Sequence, residues 1–361
     1  MNIAVLVSGG VDSSVALHML HNQGHTVTAF YLKIWLEDEL SSLATCPWEE
    51  DLYYVRAVCA QLQVPLEIVS LQQEYHDRVV SYMLTQIKQG CTPNPDMLCN
   101  QQVKFGAFYD IIQSSYDRVA TGHYAQVRLH ESVWQLSQSS DTVKDQTYFL
   151  ALLSQEQLSR ALFPIGHLTK PEVRQYAAEH ELMTQRRKDS QGICFLGKFS
   201  FTEFLEYHVG VQEGPLVEYE SGAIMGKHRG FWFYTIGQRK GIGLPGGPWY
   251  VVRKDSVHNI VYISRTYEKI DAIRGSLYIP YCHWISGHAP DTLTSLQVKL
   301  RHGPKQYPAT LVHHPGGGYH VSLAEKDQGI ASGQFAVLYR DNECLGGGAM
   351  EQWNTERNTM L

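Results

Sequence analysis

No apolar run in this 361-residue chain approaches the ~20 residues that a membrane-spanning helix requires. The chain therefore reads as a soluble protein. A strand-like run starts within three residues of Met1, so no signal or transit peptide is expected and a cytoplasmic location is. The seven cysteines are an odd number without Cys-x-x-Cys spacing, which supports neither a secreted disulfide framework nor a zinc ribbon. Among the 17 histidines, the pair His313-His314 has no partner at metal-ligand spacing. Positive charge is not in excess: 30 Lys+Arg against 36 Asp+Glu leave −6, which argues against indiscriminate nucleic-acid binding but leaves room for a local basic face. Internal repeats and low-complexity tails are also missing.

What is present is enough for a sizeable core, with 43% hydrophobic and 18% charged residues, in a chain long enough for two or three domains. Up to about residue 200, strand-like runs at 3–7, 26–32, 65–69 and 118–121 alternate with helical ones, the signature of a doubly wound α/β fold with a parallel sheet. Residues 203–208 read as a short helix closing this region before Gly210. Beyond it Gly, Tyr and Trp become dense, and short alternating runs at 249–253, 259–264, 296–301 and 335–340 predict an all-β half. The expected domains are an α/β unit over 1–205, a small central β-rich module over 206–278 and a C-terminal β-barrel over 279–361, with a break near 276–282.

Ser8-Gly9-Gly10-Val11-Asp12-Ser13-Ser14 directly follows the first strand-like run and precedes a helical one. Paired glycines let a ligand approach the backbone. N–H groups at the helix start, with the Ser8, Ser13 and Ser14 hydroxyls, suit an anion. Asp12 is placed to hold Mg²⁺ against phosphates. The string fits neither the Walker pattern nor Gly-x-Gly-x-x-Gly. It resembles the loop of the PP-loop ATP pyrophosphatases, which cleave ATP between the α and β phosphates.

Two cysteines stand out for reactivity. Cys99 follows Asn94-Pro95-Asp96, where two prolines in 92–99 hold the backbone before a helix predicted from Gln101, and a thiol near a helix start has a lowered pKa. Cys194 follows the basic cluster Arg186-Arg187-Lys188, and Gly192 suggests a turn that presents it. Cys59, Cys282 and Cys344 read as small buried hydrophobes, and Cys46 and Cys91 carry no assignment. The basic patches at 186–188, 227–229, 239–240 and 299–305, interleaved with Trp232, Tyr234 and Tyr307, suit phosphate contact and base stacking.

With the Ser8–Ser14 loop, the strings NPDMLCN, TGHYA, KDQTYFL, KDSQGICF and YTIGQRKGIG together make the chain similar, nearly end to end, to the bacterial tRNA-specific 2-thiouridylase family. The resemblance implies ATP-dependent adenylation of uridine 34 in Lys, Glu and Gln tRNAs, followed by sulfur transfer. It implies that Cys194 carries a persulfide from a sulfur-donor protein. Cys99 is then the catalytic thiol, forming a disulfide with Cys194, and Asp96 the general acid or base. ATP is expected at Leu6, Val7, Ser8, Gly9, Gly10, Val11, Asp12, Ser13, Leu32 and Gly122, where Leu32 replaces a methionine. The target base is expected at Asn94, Pro95 and Asp96, and other tRNA contacts at His123, Lys144, Asp145, Gln146, Arg301, His302 and Gln334. His302 stands where tyrosine is common, and Gln191 where threonine is. Two other readings remain: a PP-loop ligase or amidotransferase acting on a small molecule, and a tRNA-binding protein that holds ATP without turnover.

Overall fold

The computed structural model describes residues 1–34, 47–188, 200–266, 274–327 and 330–351. Cys46, Cys194 and most of the segment between Trp35 and Trp48 lie outside the described residues.

The N-terminal half supplies β1 (Asn2–Leu6), β2 (Thr26–Lys33), β3 (Leu66–Ser70), β4 (Arg118–Ala120), β5 (Ala125–His130), β6 (Val133–Gln138) and β7 (Ala161–Leu162). Five of these form a parallel sheet in the order β3-β2-β1-β4-β7. Residues 3–6 of β1 are all buried, as a central strand covered on both faces requires. One face packs under α1 (Val11–Asn22) and α2 (Pro47–Leu62), with Val5, Leu17, Val55 and Val58 in one apolar cluster. The chain builds outward from β1 through β2 to β3, then returns to add β4 on the other side. The direction of winding therefore reverses between β1 and β4, and ligands of such sheets bind at the carboxyl ends of the strands flanking that reversal.

The expected strand alternation misses β5 and β6. This hairpin leaves the parallel sheet and pairs with the C-terminal half, Cys344 opposite Leu136 and Glu343 opposite Ser137. Nothing local marks that choice, because an isolated hairpin reads alike whichever sheet receives it. Farther on lie α3 (Pro95–Leu98), α4 (Thr147–Leu150), α5 (Lys170–Glu179) and α6 (Phe201–Val209). The last matches the helix expected at 203–208, capped reciprocally by Ser200 and Glu203 and ended by Gly210 at φ +81°.

The second half is all β. Strands β8 (Gly214–Glu218), β9 (Ile224–His228), β10 (Tyr250–Asp255) and β11 (Ile260–Ser264) form a four-stranded sheet in the order β10-β11-β8-β9. A nine-stranded sheet takes in β12 (Arg274–Ile279), β13 (His283–Trp284), β14 (Leu296–Lys299), β15 (Tyr307–His313), β16 (Tyr319–Asp327), β17 (Phe335–Arg340), β18 (Glu343–Ala349) and the β5–β6 hairpin. The change of sheet falls between Ser264 and Arg274, so 276–282 overlaps strand β12. The barrel and the α/β unit share one core: Phe335, Val337 and Tyr339 of β17 cluster with Met97, Leu98 and Cys99. No helix among the described residues is long and apolar enough to cross a membrane.

Candidate active site

The Ser8–Ser14 loop sits at the carboxyl end of β1. Gly9 adopts φ +77°, and a Cβ there would lie 2.6 Å from the Asp51 carbonyl oxygen, so only glycine fits. Gly10 is the N-cap of α1 and offers no side-chain cap, which leaves the first-turn N–H groups available to an anion. The serines shape the turn: the Ser8 N–H donates to Ser13 Oγ at 3.2 Å, while the Ser13 and Ser14 hydroxyls donate to the Gly10 carbonyl at 3.1 and 2.9 Å. After β4, Gly122 presses on this loop. A Cβ at Gly122 would stand 2.6 Å from the Ser13 nitrogen. Leu32, near the end of β2, is half-buried at the same edge of the sheet.

Three partners of the loop escaped the sequence reading. Lys170, at the start of α5, donates to both carboxylate oxygens of Asp12 at 2.7 and 2.9 Å, and the Tyr124 hydroxyl donates to Oδ1 at 2.8 Å. Arg187 donates to the Gly9 carbonyl at 2.7 Å and pairs with Asp51. Arg187 was legible only as part of a basic cluster. Lys170 lies 158 residues from Asp12, and no local pattern signals the contact.

Magnesium suits this donor set in one way only. No group of three or more His, Cys, Asp or Glu side chains able to hold a metal occurs among the described residues. An ion bound mainly through phosphates and water needs one or two carboxylates; Asp12 would be one, on exchanging for the ion a hydrogen bond that Lys170 or Tyr124 now makes to it.

The second cluster surrounds Cys99. Asn94 caps α3 by accepting from the Asp96 N–H at 3.2 Å, and Pro95 occupies the first turn, where its missing donor costs nothing. The helix thus begins at Pro95 and not at Gln101. Cys99 lies beyond its first turn and is 2% exposed, so it is not the exposed helix-start thiol that the sequence suggested. From Cys99 to Ala107 the winding is π-helical, a form frequent at functional sites. Burial raises the Asp96 carboxyl above the usual carboxylate range, and the Lys104 ammonium pulls it partly back. His123 is held well below the usual imidazole range, first by burial and then by Lys104, and lies 2.7 Å from the Thr121 hydroxyl. Burial pushes the Cys59 thiol up to about 11 and the Cys282 thiol up to about 12, and it raises Cys91 as well, which disfavours the thiolate in each. Cys344 is buried, while Cys282 is only half-buried.

The barrel closes over this cluster. The Thr92 N–H donates to the Ser332 carbonyl at 2.8 Å, and Tyr148 of α4 neighbours Asn94 while donating to the Phe335 carbonyl at 2.9 Å. His302 stacks on Phe149 with ring centroids 4.8 Å apart. Gln334, whose backbone N–H donates to the Ala331 carbonyl at 3.2 Å, keeps a buried side-chain oxygen without a hydrogen-bond partner. Arg301 is 52% exposed and forks onto Asp327 at 2.8 and 3.1 Å.

Lys144, Asp145 and Gln146 differ among themselves. Lys144 is half-buried. Asp145 is 1% exposed and is consumed by Lys299 at 2.7 Å, the Thr147 hydroxyl and the Ser139 N–H, so its carboxylate ties the α/β unit to the barrel and does not face a ligand. Gln146 accepts from the Tyr124 N–H at 3.0 Å and its own N–H donates back at 2.8 Å, which braces the loop holding Gly122 and His123.

A glycine loop at the reversal point of a parallel sheet, joined through a shared core to a buried cysteine with a half-buried carboxyl three residues before it, defines an α/β nucleotide-site protein with β-barrel appendages. The family described as tRNA methyl transferase HUP domain matches residues 1–198, the tRNA methyl transferase PRC-barrel domain 202–265, and the aminomethyltransferase beta-barrel domain 274–350. The tRNA-specific 2-thiouridylase of Parabacteroides distasonis is 44% identical over 96% of this chain and 98% of its own length. Those of Porphyromonas gingivalis and Bacteroides thetaiotaomicron are 43% and 44% identical over 96% of this chain, with 98% and 99% of their own lengths covered. The chain belongs to the tRNA-specific 2-thiouridylase family. Among solved structures, a 4-thiouridine synthetase in complex with RNA and ATP reaches a TM-score of 0.33 at 14% identity, covering 54% of this chain and 44% of that one, too distant to bear on the chemistry.

Proposed function

We propose that the chain performs ATP-dependent 2-thiolation of uridine 34 in Lys, Glu and Gln tRNAs, releasing AMP and pyrophosphate. The observation that carries this reading is the pairing of a nucleotide loop with a buried thiol and a half-buried carboxyl in one fold, in a chain similar over nearly its whole length to the thiouridylases. ATP occupies the edge formed by residues 6–13, Leu32 and Gly122, its phosphates on the α1 N-terminus. Magnesium held by Asp12 and the phosphates would neutralise charge on the triphosphate. Lys170 keeps the Asp12 carboxylate in place. The base enters at Asn94, Pro95 and Asp96, with His123, Lys144, Arg301, His302 and Gln334 as further tRNA contacts. The Gln334 orphan oxygen supports this, since a buried unpaired acceptor is costly until a ligand donor reaches it.

Attack of the uridine O2 on the α-phosphate of ATP expels pyrophosphate and makes the oxygen a leaving group. The terminal sulfur of a Cys194 persulfide, supplied by a donor protein, bonds to C2 and AMP departs. The Cys99 thiolate then attacks Sγ of Cys194, the S–S bond of the persulfide adduct breaks, and the thiocarbonyl stays on the base. The resulting Cys99–Cys194 disulfide is reduced before the next cycle. Asp96 moves the proton at the base. The units at 1–205, 206–278 and 279–361 divide this work into catalysis, tRNA contact and closure of the base pocket.

Reconstitution with ATP, Mg²⁺, a persulfide source and unmodified tRNA tests the proposal. 2-Thiouridine at position 34 from wild type, abolished by Cys194→Ser, is the expected result. Absence of thiouridine with a proven sulfur source overturns it and favours a small-molecule PP-loop enzyme.

A further inference from the structure

The peptide between Gly9 and Gly10 is the least constrained link of the nucleotide loop. Neither residue has a Cβ, and Gly9 sits at φ +77°, so local sterics do little to stop this peptide from flipping. The next peptide is held from within the loop: the Gly10 carbonyl accepts from the Ser13 and Ser14 hydroxyls at 3.1 and 2.9 Å and from the Ser14 N–H at 3.2 Å. The Gly9 carbonyl is held from outside. Its donor is Arg187 Nη1 at 2.7 Å, 178 residues further along the chain.

That guanidinium is itself anchored. Its other terminal nitrogen donates to Asp51 Oδ1 on α2, and its carbon lies 4.6 Å from the centroid of the Tyr54 ring, one turn further along the same helix. The backbone behind it is pinned as well: the Arg187 N–H donates to the Thr184 carbonyl at 2.9 Å, and Arg174 on α5 donates to the Gln185 and Arg187 carbonyls at 3.3 and 3.2 Å. A planar guanidinium presents its two donors at a fixed angle, so the Gly9 carbonyl is placed relative to Asp51. The charge is already matched. What Arg187 brings to the loop is a fixed donor and not a bare cation.

A trans peptide points its carbonyl and its N–H in opposite directions, and the Gly9–Gly10 bond is trans. With the carbonyl on Arg187, the Gly10 N–H faces away from it. Among the described residues no group accepts from that N–H, and a Cβ on Gly10 would meet only the Ser8 hydroxyl, at 3.6 Å, so the space beside it is open. We infer that Arg187 is a positioning residue of the nucleotide step: by holding the Gly9 carbonyl it turns the Gly10 N–H toward the phosphates. The inference deepens the function proposed above and rests on it for the identity of the nucleotide. A donor fixed in advance needs no reordering when the anion arrives, whereas a free Gly–Gly peptide must be ordered at that moment.

The test compares Arg187→Met and Arg187→Lys with wild type, as full chains with ATP and Mg²⁺ and no tRNA. Glycine labelled with nitrogen-15 is followed by NMR, the Gly10 amide being assigned by its loss in Gly10→Ala. Saturating ATP is expected to move the wild-type Gly10 amide proton downfield, as a new hydrogen bond to an anion does. That response is expected to be lost in Arg187→Met, while glycine amides beyond the nucleotide loop overlay with wild type. ATP affinity should fall about 10-fold, the worth of one hydrogen bond to a charged group. Arg187→Lys keeps the charge without the fork, and the same loss is expected in smaller measure. An unchanged Gly10 response in folded Arg187→Met, or in Arg187→Lys where the methionine variant does not fold, overturns the inference, as does ATP binding by wild type that leaves the Gly10 amide unmoved. Pyrophosphate release with tRNA that persists in Arg187→Met while thiouridine is lost would place its effect on sulfur delivery and overturn it too. Wild-type protein that shows the Gly10 response and yields no thiouridine overturns the function proposed above, not this inference.

Discussion

The two ends of the proposed site, one for the nucleotide and one for the base, are built by opposite means. At the nucleotide end, position is set by backbone: Gly9 and Gly122 permit contacts that a Cβ would block, and the charges on Asp12 and Asp51 are matched by Lys170 and Arg187. At the base end, position is set by buried side chains, and ionisable groups are held away from their ordinary states. A triphosphate brings its own charge and needs a cradle. A nearly neutral base needs groups poised between protonation states, which burial provides. The two ends should therefore fail in different ways.

The largest effect on rate is expected from Gly122→Ala. Its methyl group would push Ser13 out of place, and displacement on the scale of an ångström costs about 100-fold in rate. Pyrophosphate release with tRNA present should fall by about that factor.

Lys299→Met attacks the other end. It leaves Asp145 buried and unpaired, at a cost of about 3–5 kcal/mol read from urea unfolding. Adding Asp145→Leu should recover much of that loss, and no recovery would mean the pair does more than satisfy itself.

Asp96→Asn should act with pH. The folded-state carboxyl is raised, so its contribution to stability is fully present below the unfolded-state value and is lost as pH rises through the folded-state value. The variant should thus melt higher than wild type at neutral pH and match it in acid, a difference differential scanning calorimetry can follow. The smallest effect is expected from Gln334→Met, which removes the orphan oxygen. The free protein should gain about 1 kcal/mol while tRNA binding weakens.

These contrasts also govern what could be read in advance. The Ser8–Ser14 loop was legible because its chemistry is contiguous, strand, glycines and helix following one another. The Asn94-Pro95-Asp96 turn was legible as a motif, yet the helix starts earlier than expected because Asn94 caps it and Pro95 fills its first turn. Lys170 on Asp12, Lys299 on Asp145 and the β5–β6 hairpin on β18 join residues far apart in sequence, and propensity carries no trace of such partners. The π winding of 99–107 is likewise set from outside, by Gln157 and Arg78. Asp145, expected as a tRNA contact only from the family resemblance, has a carboxylate buried as an internal tie, because its partner Lys299 comes from the barrel.

The most direct test of the division between the two ends is Cys99→Ser, assayed for pyrophosphate release and 2-thiouridine in the same tRNA-containing reaction. The account predicts that pyrophosphate is still released while thiouridine is lost. Retained thiouridine, or loss of pyrophosphate release from a folded variant, would contradict it.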